Sequence, residues 1–367
     1  MRLAQGHGQA LVRWAEPVAE RRHALDILRI VSICGVVAIH VFGHVVGQAP
    51  DGGRSWWLAA GVDIAFIWVV PVFVMISGAL ILGSRQALED PRAFYFKRAA
   101  RLLPALIVWN LVYLIGVRVL LRHEQLTPGR IVQLLVDGSV FTQLYFLWLI
   151  LGLYAVAPML AAFLSRGGRM RAVITGSVIL GVTVLAYMVP GVAGLFGVAR
   201  PIALNILTQW LPYVGYFVLG YALRDLRVSR GLRVALAAVI VVLAAFSIWH
   251  FGHKGQSRIL DAVVSVSYLG IGVAILSVAV FVFTVSVPPP GKPWPARLTR
   301  SISALSQASF GVFLVHLVIF EVLKRLSPAI ASGTAFAPAV GAFAVTLVLS
   351  FGVSLLAARI PYLRAIF

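Results

Sequence analysis

The chain has 367 residues, of which 60% are hydrophobic and 12% charged, and its mean hydropathy is +0.96. This composition excludes an ordinary soluble domain and is typical of a membrane protein. The formal net charge is +19, but the basic residues are scattered through short gaps between apolar runs, so no nucleic-acid partner is expected. The single cysteine, Cys34, lies in the first apolar run, which excludes an intramolecular disulfide.

Ten apolar stretches are long enough to cross a bilayer as helices, for which about 20 residues are needed. They cover residues 25–47, 56–83, 99–121, 143–164, 171–190, 205–223, 232–251, 259–287, 302–323 and 335–358. The sixth stretch contains Pro212 and several polar residues, so counts of nine or eleven stay open. The sequence therefore predicts an all-α polytopic membrane protein with about ten transmembrane helices.

The basic residues predict the orientation of these spans. With the N-terminus inside, 21 of the 31 Lys and Arg residues fall on the cytoplasmic side, nine on the outer side and Arg29 within the first span. Short loops rich in Lys and Arg remain in the cytoplasm, so both termini are expected there. Arginine far outnumbers lysine, which is typical of GC-rich bacterial genomes. We therefore expect a multi-pass protein of the bacterial cytoplasmic membrane.

Two segments differ from the apolar spans. Residues 1–24 lack the apolar core of a signal peptide and are expected to form a cytoplasmic N-terminal segment. Residues 25–367 are expected to form one transmembrane domain. Within it, the proline-rich segment 288–300 predicts a cytoplasmic linker before the last two helices, because proline cannot continue a helix.

The first span carries several ionisable side chains. Arg29 and His40 are eleven residues apart, which places them roughly 20° from the same helix face and about 16 Å apart along the axis. Asp26 lies one turn before Arg29, and His44 one turn after His40. Ionisable groups inside a membrane are costly and usually face a cavity or a partner. The stripe therefore suggests a polar tunnel wall, although Arg29 snorkelling to the interface and His40 bonded to a neighbouring helix are simpler readings.

A basic cluster precedes the third span in the segment FYFKRAARLLP. Arg98 and Arg101 are one helical turn apart, and Lys97 adjoins them, so their cationic groups are suited to binding phosphates. The alternative is that they only mark the cytoplasmic end of the span.

The ninth span, SFGVFLVHLVIFEVLKR, contains His316 and Glu321. In the ten-span arrangement His316 falls near mid-membrane, as does His40. Two histidines at this depth on different helices, together with a cytoplasmic arginine pair, indicate a functional site.

The chain resembles bacterial membrane-bound acyltransferase family 3 over nearly its whole length. The resemblance rests on the Arg29-to-His40 spacing, PVFVMISGALIL, the RxxR of Arg98 and Arg101, LYFLWLILGLYAVAPML, SFGVFLVH and RIPYLR. It implies ten helices and transfer of an acetyl or other short acyl group from cytosolic acyl-CoA to a hydroxyl of a sugar, glycolipid or cell-envelope glycan.

The resemblance also implies roles for particular residues. It makes His40 catalytic and links Arg29, Arg98 and Arg101 to acetyl-CoA binding, and our hypothesis adds Lys97 to that binding group. Our hypothesis adds Asp26 and His316 to the catalytic group, and Gln143, Tyr145 and Glu321 to the substrate-binding group, with no metal. Gln143 departs from the family pattern, since many members have histidine there, and an acid–base role at that position is therefore in doubt.

Two other functions remain open from the sequence. An intramembrane charged stripe and a span interrupted by Pro212 also suit a transporter or flippase for a polar or glycolipid substrate. A different acyl-CoA-using membrane fold would pair one deep histidine with an asparagine, for which Asn110 is the candidate.

Overall fold

The computed structural model describes residues 12–14, 21–287 and 294–367. Within these residues, eight helices are long and apolar enough to cross a membrane, and two shorter apolar helices accompany them. Each of the ten predicted stretches corresponds to one of these ten elements. The prediction of an all-α polytopic membrane protein is confirmed.

The helices follow one another with short connections. In chain order they are α1 (Arg21–Gln48), α2 (Arg54–Ala65), α3 (Val69–Ile81), α4 (Arg85–Glu89), α5 (Pro91–Leu111), α6 (Pro128–Val136), α7 (Tyr145–Ser165), α8 (Gly168–Leu195), α9 (Val214–Leu223), α10 (Arg230–Gly252), α11 (Arg258–Val263), α12 (Ile271–Val285), α13 (Ala296–Leu326), α14 (Pro328–Ser332) and α15 (Phe336–Ala357). A π-helical segment, Val112–Leu121, continues α5, and 3-10 turns cover Leu211–Tyr213 and Leu363–Ala365. Two short strands, β1 (Val12–Trp14) and β2 (Leu226–Val228), pair antiparallel.

Helix α1 lies at the centre of the bundle. It packs against α2, α3, α13 and α15, and its side chains Ile33, Val37 and Val41 are buried. The polar stripe predicted on α1 is therefore held inside the protein, where neighbouring helices can supply partners. This position makes α1 the main element of the candidate site.

Helices α3 and α9 cross at very short range. A Cβ atom added at Gly78 would collide with the carbonyl oxygen of Phe217, and one at Gly220 would collide with that of Met75. Small residues allow membrane helices to approach until their backbones touch, which gains dispersion contacts that larger side chains would prevent. The glycine of the PVFVMISGALIL motif thus fixes one wall of the bundle.

Helix α10 lies at the periphery. Val234, Val241 and Val242 on this helix are more than 60% exposed. In water such a surface would be unfavourable, but lipid tails are as apolar as valine. The exposed apolar face is therefore consistent with contact to lipid.

The two shorter apolar helices begin later than predicted. The stretch predicted at 205–223 is helical only from Leu211, because Asn205 and Thr208 form a turn in which the Asn205 side chain accepts from the Leu207 N–H at 2.9 Å. The stretch predicted at 259–287 contains the short α11, then a bent segment, and α12 from Ile271. Hydropathy alone did not separate apolar loop from apolar helix.

The predicted flanking segments are only partly described. Of the expected N-terminal segment 1–24, residues 1–11 and 15–20 lie outside the described residues, as do residues 288–293 of the expected linker. The last part of that linker is already helical, since α13 begins at Ala296 rather than at the predicted residue 302. The Trp294 ring stacks on His23 of α1, with ring centroids 5.6 Å apart.

Candidate functional site

A cavity of about 540 Å³ lies between α1, α3, α5, α7 and α13. Six of the predicted site residues line it: Arg29, His40, Arg98, Arg101, Gln143 and Tyr145. Helix α13 contributes one face to the cavity. Residues three or four positions apart lie on the same side of a helix, and Ser306, Ser309, Phe310 and Phe313 follow this spacing. The structure thus brings together residues as far apart in the sequence as Arg29 and Phe313.

One end of the cavity, which we call the arginine end, is formed by Arg29, Arg98 and Arg101. The Arg98 guanidinium lies over the Tyr154 ring at 5.5 Å, and the Arg101 guanidinium lies over the Phe310 ring at 5.8 Å. Within the described part of the chain, none of these three arginines forms an ion pair with a carboxylate. Aromatic faces hold cations in place while leaving their N–H groups available for an anion.

Asp26 is bonded to α13. It accepts a hydrogen bond from the Ser306 hydroxyl at 2.7 Å, and Ser306 itself lines the cavity. Across the described residues no ion pair joins Asp26 to Arg29. The carboxylate therefore fixes α1 against α13 beside the arginine end.

His40 and His316 lie side by side, with ring centroids 5.3 Å apart. His316 is fully buried, and its Nδ1 lies 2.8 Å from the carbonyl oxygen of Phe313 and 3.1 Å from that of Val312. Carbonyl oxygens only accept, so the hydrogen-bond network assigns the proton to Nδ1. In the neutral ring the lone pair is then on Nε2, which is buried without a partner among the described residues.

His40 differs from His316 in facing the cavity. Its ring borders the open volume and makes no hydrogen bond to the described residues. A histidine that is surrounded by a bundle yet exposed to an internal cavity is positioned to contact a bound molecule. Among the described residues His40 has no hydrogen bond to a neighbouring helix, although its ring lies against that of His316 on α13.

The opposite end of the cavity, which we call the Gln143 end, is lined by Gln143, Tyr145, Tyr213 and Tyr268. Gln143 is 2% exposed, and its amide makes no hydrogen bond of ordinary length within the described residues, although it approaches the Tyr113 hydroxyl. Buried amides normally make hydrogen bonds to the protein or to water. The Gln143 amide, which lines the cavity, is therefore available to bond a polar ligand.

Three predicted or considered residues lie away from the cavity lining. Lys97 is exposed on the outside of α5 beside the arginine end. Asn110 donates to the Leu106 carbonyl of its own helix at 2.7 Å. The Glu321 carboxylate bonds Arg122 through both oxygens, at 2.7 and 3.2 Å, and also contacts Lys324 at 2.5 Å. The hydrogen bonds from Arg122 to Glu321 raise the pKa of the Arg122 guanidinium, which lies just beyond the span.

Several site residues were not singled out from the sequence. Tyr154, Tyr213 and Tyr268 line the cavity from three different segments, and aromatic residues in apolar spans carry no signal of function. Asp63 of α2 did carry a signal, because a carboxylate within an apolar stretch is costly. The sequence did not predict which residues of other helices would surround Asp63.

The sequence comparisons agree with this architecture. No curated protein and no solved structure matches the chain. The family model of acyltransferase family 3, described as an acyltransferase domain, matches residues 22–359, which include every helix around the cavity. The chain therefore belongs to acyltransferase family 3 and is a multi-pass membrane acyltransferase.

Proposed function

We propose that the protein transfers an acetyl or other short acyl group from acyl-CoA to a hydroxyl of a sugar, glycolipid or cell-envelope glycan in the bacterial cytoplasmic membrane. One observation carries the proposal beyond the family. A single cavity has three arginines at one end and a histidine deeper inside, and among the described residues the arginines have no carboxylate partner and the histidine has no hydrogen-bond partner. Acyl-CoA has phosphates at one end and a reactive thioester at the other, so its phosphates would fit the arginines and its thioester would fit the histidine.

The donor would enter from the arginine end. Arg98 and Arg101 are one turn apart on α5 and face Arg29 across the cavity mouth, so they can bind the phosphates of CoA by charge-assisted hydrogen bonds. The pantetheine arm, on the order of 15–20 Å, is comparable with the rise of about 16 Å from Arg29 to His40 along α1. The thioester would then lie beside His40, and exposed Lys97 would add to the attraction of the phosphates.

In the transfer step, His40 acts as general base. The acceptor hydroxyl gives its proton to the free ring nitrogen of His40 while its oxygen attacks the thioester carbonyl carbon. The tetrahedral intermediate collapses, the carbon–sulfur bond breaks, and the proton passes from His40 to the departing CoA thiolate. An ester and free CoA–SH result, with no net proton change and no acyl group on the protein.

His316 acts on His40 as a positioning residue. Its Nδ1 proton is held by the Val312 and Phe313 carbonyls, so its Nε2 is an acceptor next to the His40 ring. An N–H of His40 donated to that acceptor would fix the His40 tautomer with its lone pair towards the cavity. Asp26 and Ser306 hold α1 and α13 together, which keeps the two rings adjacent.

The Gln143 end would bind the acceptor. Gln143 and Tyr145 present an amide and a hydroxyl to the cavity, both of which bond readily to sugar hydroxyls. Glu321, predicted from sequence as a third substrate-binding residue, has its oxygens engaged by Arg122 and Lys324. We assign Glu321 a stabilising role at the end of α13.

The test uses the purified protein in proteoliposomes with acetyl-CoA labelled in the acetyl group. We expect CoA to raise the melting temperature of the detergent-purified protein and, with a lipid-soluble glycoside present, free thiol to appear in equal amount to acetylated glycoside. Movement of the glycoside across the bilayer without thiol release would instead support a transporter and refute the proposal.

A further inference from the structure

A second cavity of about 280 Å³ adjoins the first. It is lined by Ile39, Asp63, Ile64, Ile67, Val266, Ser267 and Tyr268, and it shares Ile39 and Tyr268 with the main cavity. Ile39 is the chain neighbour of His40. The second cavity therefore lies directly behind the wall that carries the candidate base.

Asp63 is the one charged side chain among the residues that line this second cavity. Within the described residues its carboxylate makes no hydrogen bond and no ion pair. It faces Gly43 of α1, where an added Cβ would lie 3.5 Å from Oδ2, so α1 places no side chain over the carboxylate. Gly43 is three residues after His40, which puts Asp63 about one helical turn beyond the candidate base.

A buried carboxylate without a partner is unfavourable in the interior of a membrane protein. Its desolvation costs free energy that neighbouring donors normally recover. Asp26, Asp225 and Glu321 each have such donors in the bundle. Asp63, which is half-buried, has none among the described residues and borders the second cavity, so a bound molecule there could supply the donors.

The charges of the two cavities are separated. The arginine end carries three cations, whereas the Gln143 end presents an amide and three phenols, and the second cavity adds a carboxylate. A phosphate or carboxylate on the acceptor would meet no cation there and would be repelled by Asp63. Hydroxyl groups, in contrast, donate well to carboxylates and to neutral acceptors.

We propose that Asp63 and the Gln143 end form an acceptor subsite that selects an uncharged polyhydroxyl group, with Asp63 accepting hydrogen bonds from acceptor hydroxyls other than the one acylated. The inference deepens the proposed function and rests on it. It specifies the acceptor class as a neutral sugar or polyol and excludes anionic sugars and phosphorylated headgroups near the reacting hydroxyl.

The first experiment compares two acceptors that differ in one group. In proteoliposomes with labelled acetyl-CoA, n-octyl β-D-glucoside is offered against n-octyl β-D-glucuronide, both below their micellar concentrations. We expect the glucoside to be acetylated with kcat/KM at least about tenfold above that of the glucuronide, because the glucuronide carries a carboxylate beside Asp63 in place of the 6-hydroxymethyl group. The neutral n-octyl β-D-xyloside, which lacks C6, should also be used at least about tenfold better than the glucuronide, because the two differ only in the carboxylate. Equal use of the glucuronide and either neutral glycoside, or preference for the glucuronide, would overturn the inference.

The second experiment changes the carboxylate. Asp63→Asn keeps the shape and removes the charge, so the KM for the glucoside should rise about tenfold, the discrimination against the glucuronide should shrink, and the KM for acetyl-CoA should stay unchanged. Asp51→Asn is the matched control, because Asp51 is exposed in the connection before α2 and should leave all three values as they are. A loss confined to kcat, or no change in either acceptor parameter, would refute the role of Asp63.

The proposed function and the acceptor subsite are refuted by different results. If the wild-type protein releases no thiol with any acceptor and does not bind CoA, the proposed function is wrong. If it acetylates glycosides but ignores their charge, the proposed function stands and the acceptor subsite is wrong. Stabilisation of Asp63→Asn by CoA, measured by melting temperature, shows that the variant is folded when its acceptor kinetics are read.

Discussion

Two polar clusters lie inside this helix bundle, and they differ in how well their groups are bonded. At the end of α13, Glu321 is bonded to Arg122 and Lys324, so its carboxylate is satisfied by the protein itself. Around the main cavity, His40, the Nε2 atom of His316 and the Gln143 amide have no such partners among the described residues. The first cluster is satisfied by the protein itself, whereas the proposed function has the second completed by a ligand.

The difference shows why charge in a membrane span is not by itself a sign of catalysis. From sequence, Glu321 and His316 stood five residues apart on one span, and both were assigned to the functional site. Their surroundings differ. The Glu321 carboxylate is already bonded to cations of the protein, whereas the Nε2 atom of His316 lies beside a cavity with no partner among the described residues and can still accept a hydrogen bond. The predictions below test that division, beginning with the largest expected effect.

Replacing His40 should abolish most of the turnover. His40→Ala removes the proposed base, for which kcat should fall about 10²- to 10⁴-fold, while stabilisation by CoA is retained. His44→Ala is the matched control, because His44 lies one turn further along α1 and is bonded to the Ala331 carbonyl at 3.1 Å. Near-normal turnover in His40→Ala would refute the assignment of His40 as the general base.

Replacing Arg98 and Arg101 together should act on donor binding. We expect the KM for acetyl-CoA to rise on the order of tenfold or more, since charge-assisted hydrogen bonds to phosphate are lost, with the acceptor KM unchanged. Lys97→Ala changes an adjoining exposed cation and should have a smaller effect that salt screens. Equal effects of the two changes would mean that only the general surface charge matters.

Replacing His316 should reveal a positioning role. His316→Leu should lower kcat about tenfold, as expected when a base loses the group that orients it, and should change the pH profile of kcat. His316→Gln, which keeps a hydrogen-bonding group near the position of Nε2, should recover part of the loss. A purely structural role predicts instead that both variants lose melting temperature and keep the wild-type pH profile.

Replacing Glu321 should affect stability more than catalysis. Glu321→Gln leaves Arg122 and Lys324 without their carboxylate, at a cost of about 1–3 kcal/mol in the free energy of unfolding. The melting temperature should fall, and both KM values should stay at wild-type levels. A raised acceptor KM in a folded Glu321→Gln protein would return Glu321 to the substrate site.

Much of the fold followed from local properties of the chain. Ten apolar stretches matched ten helical elements because hydropathy and length control membrane insertion one segment at a time. Two departures within the stretches are 205–210 and 264–270, where apolar residues are held in turns by backbone and side-chain hydrogen bonds. The eleven-residue spacing likewise predicted that Arg29 and His40 share a face, and both line the cavity.

The composition of the site required the tertiary structure. Sequence determined that this is a membrane protein, which spans it has and which costly side chains lie within them, since each of these depends on one segment alone. Only the packing of distant helices decided that His40 meets His316 and that Asp26 is bonded to Ser306. The same packing leaves Asp63 beside the second cavity without a partner in the described part of the chain. Whether a buried polar group has a partner is set by what lies opposite, and that neighbour is supplied by another helix far along the chain.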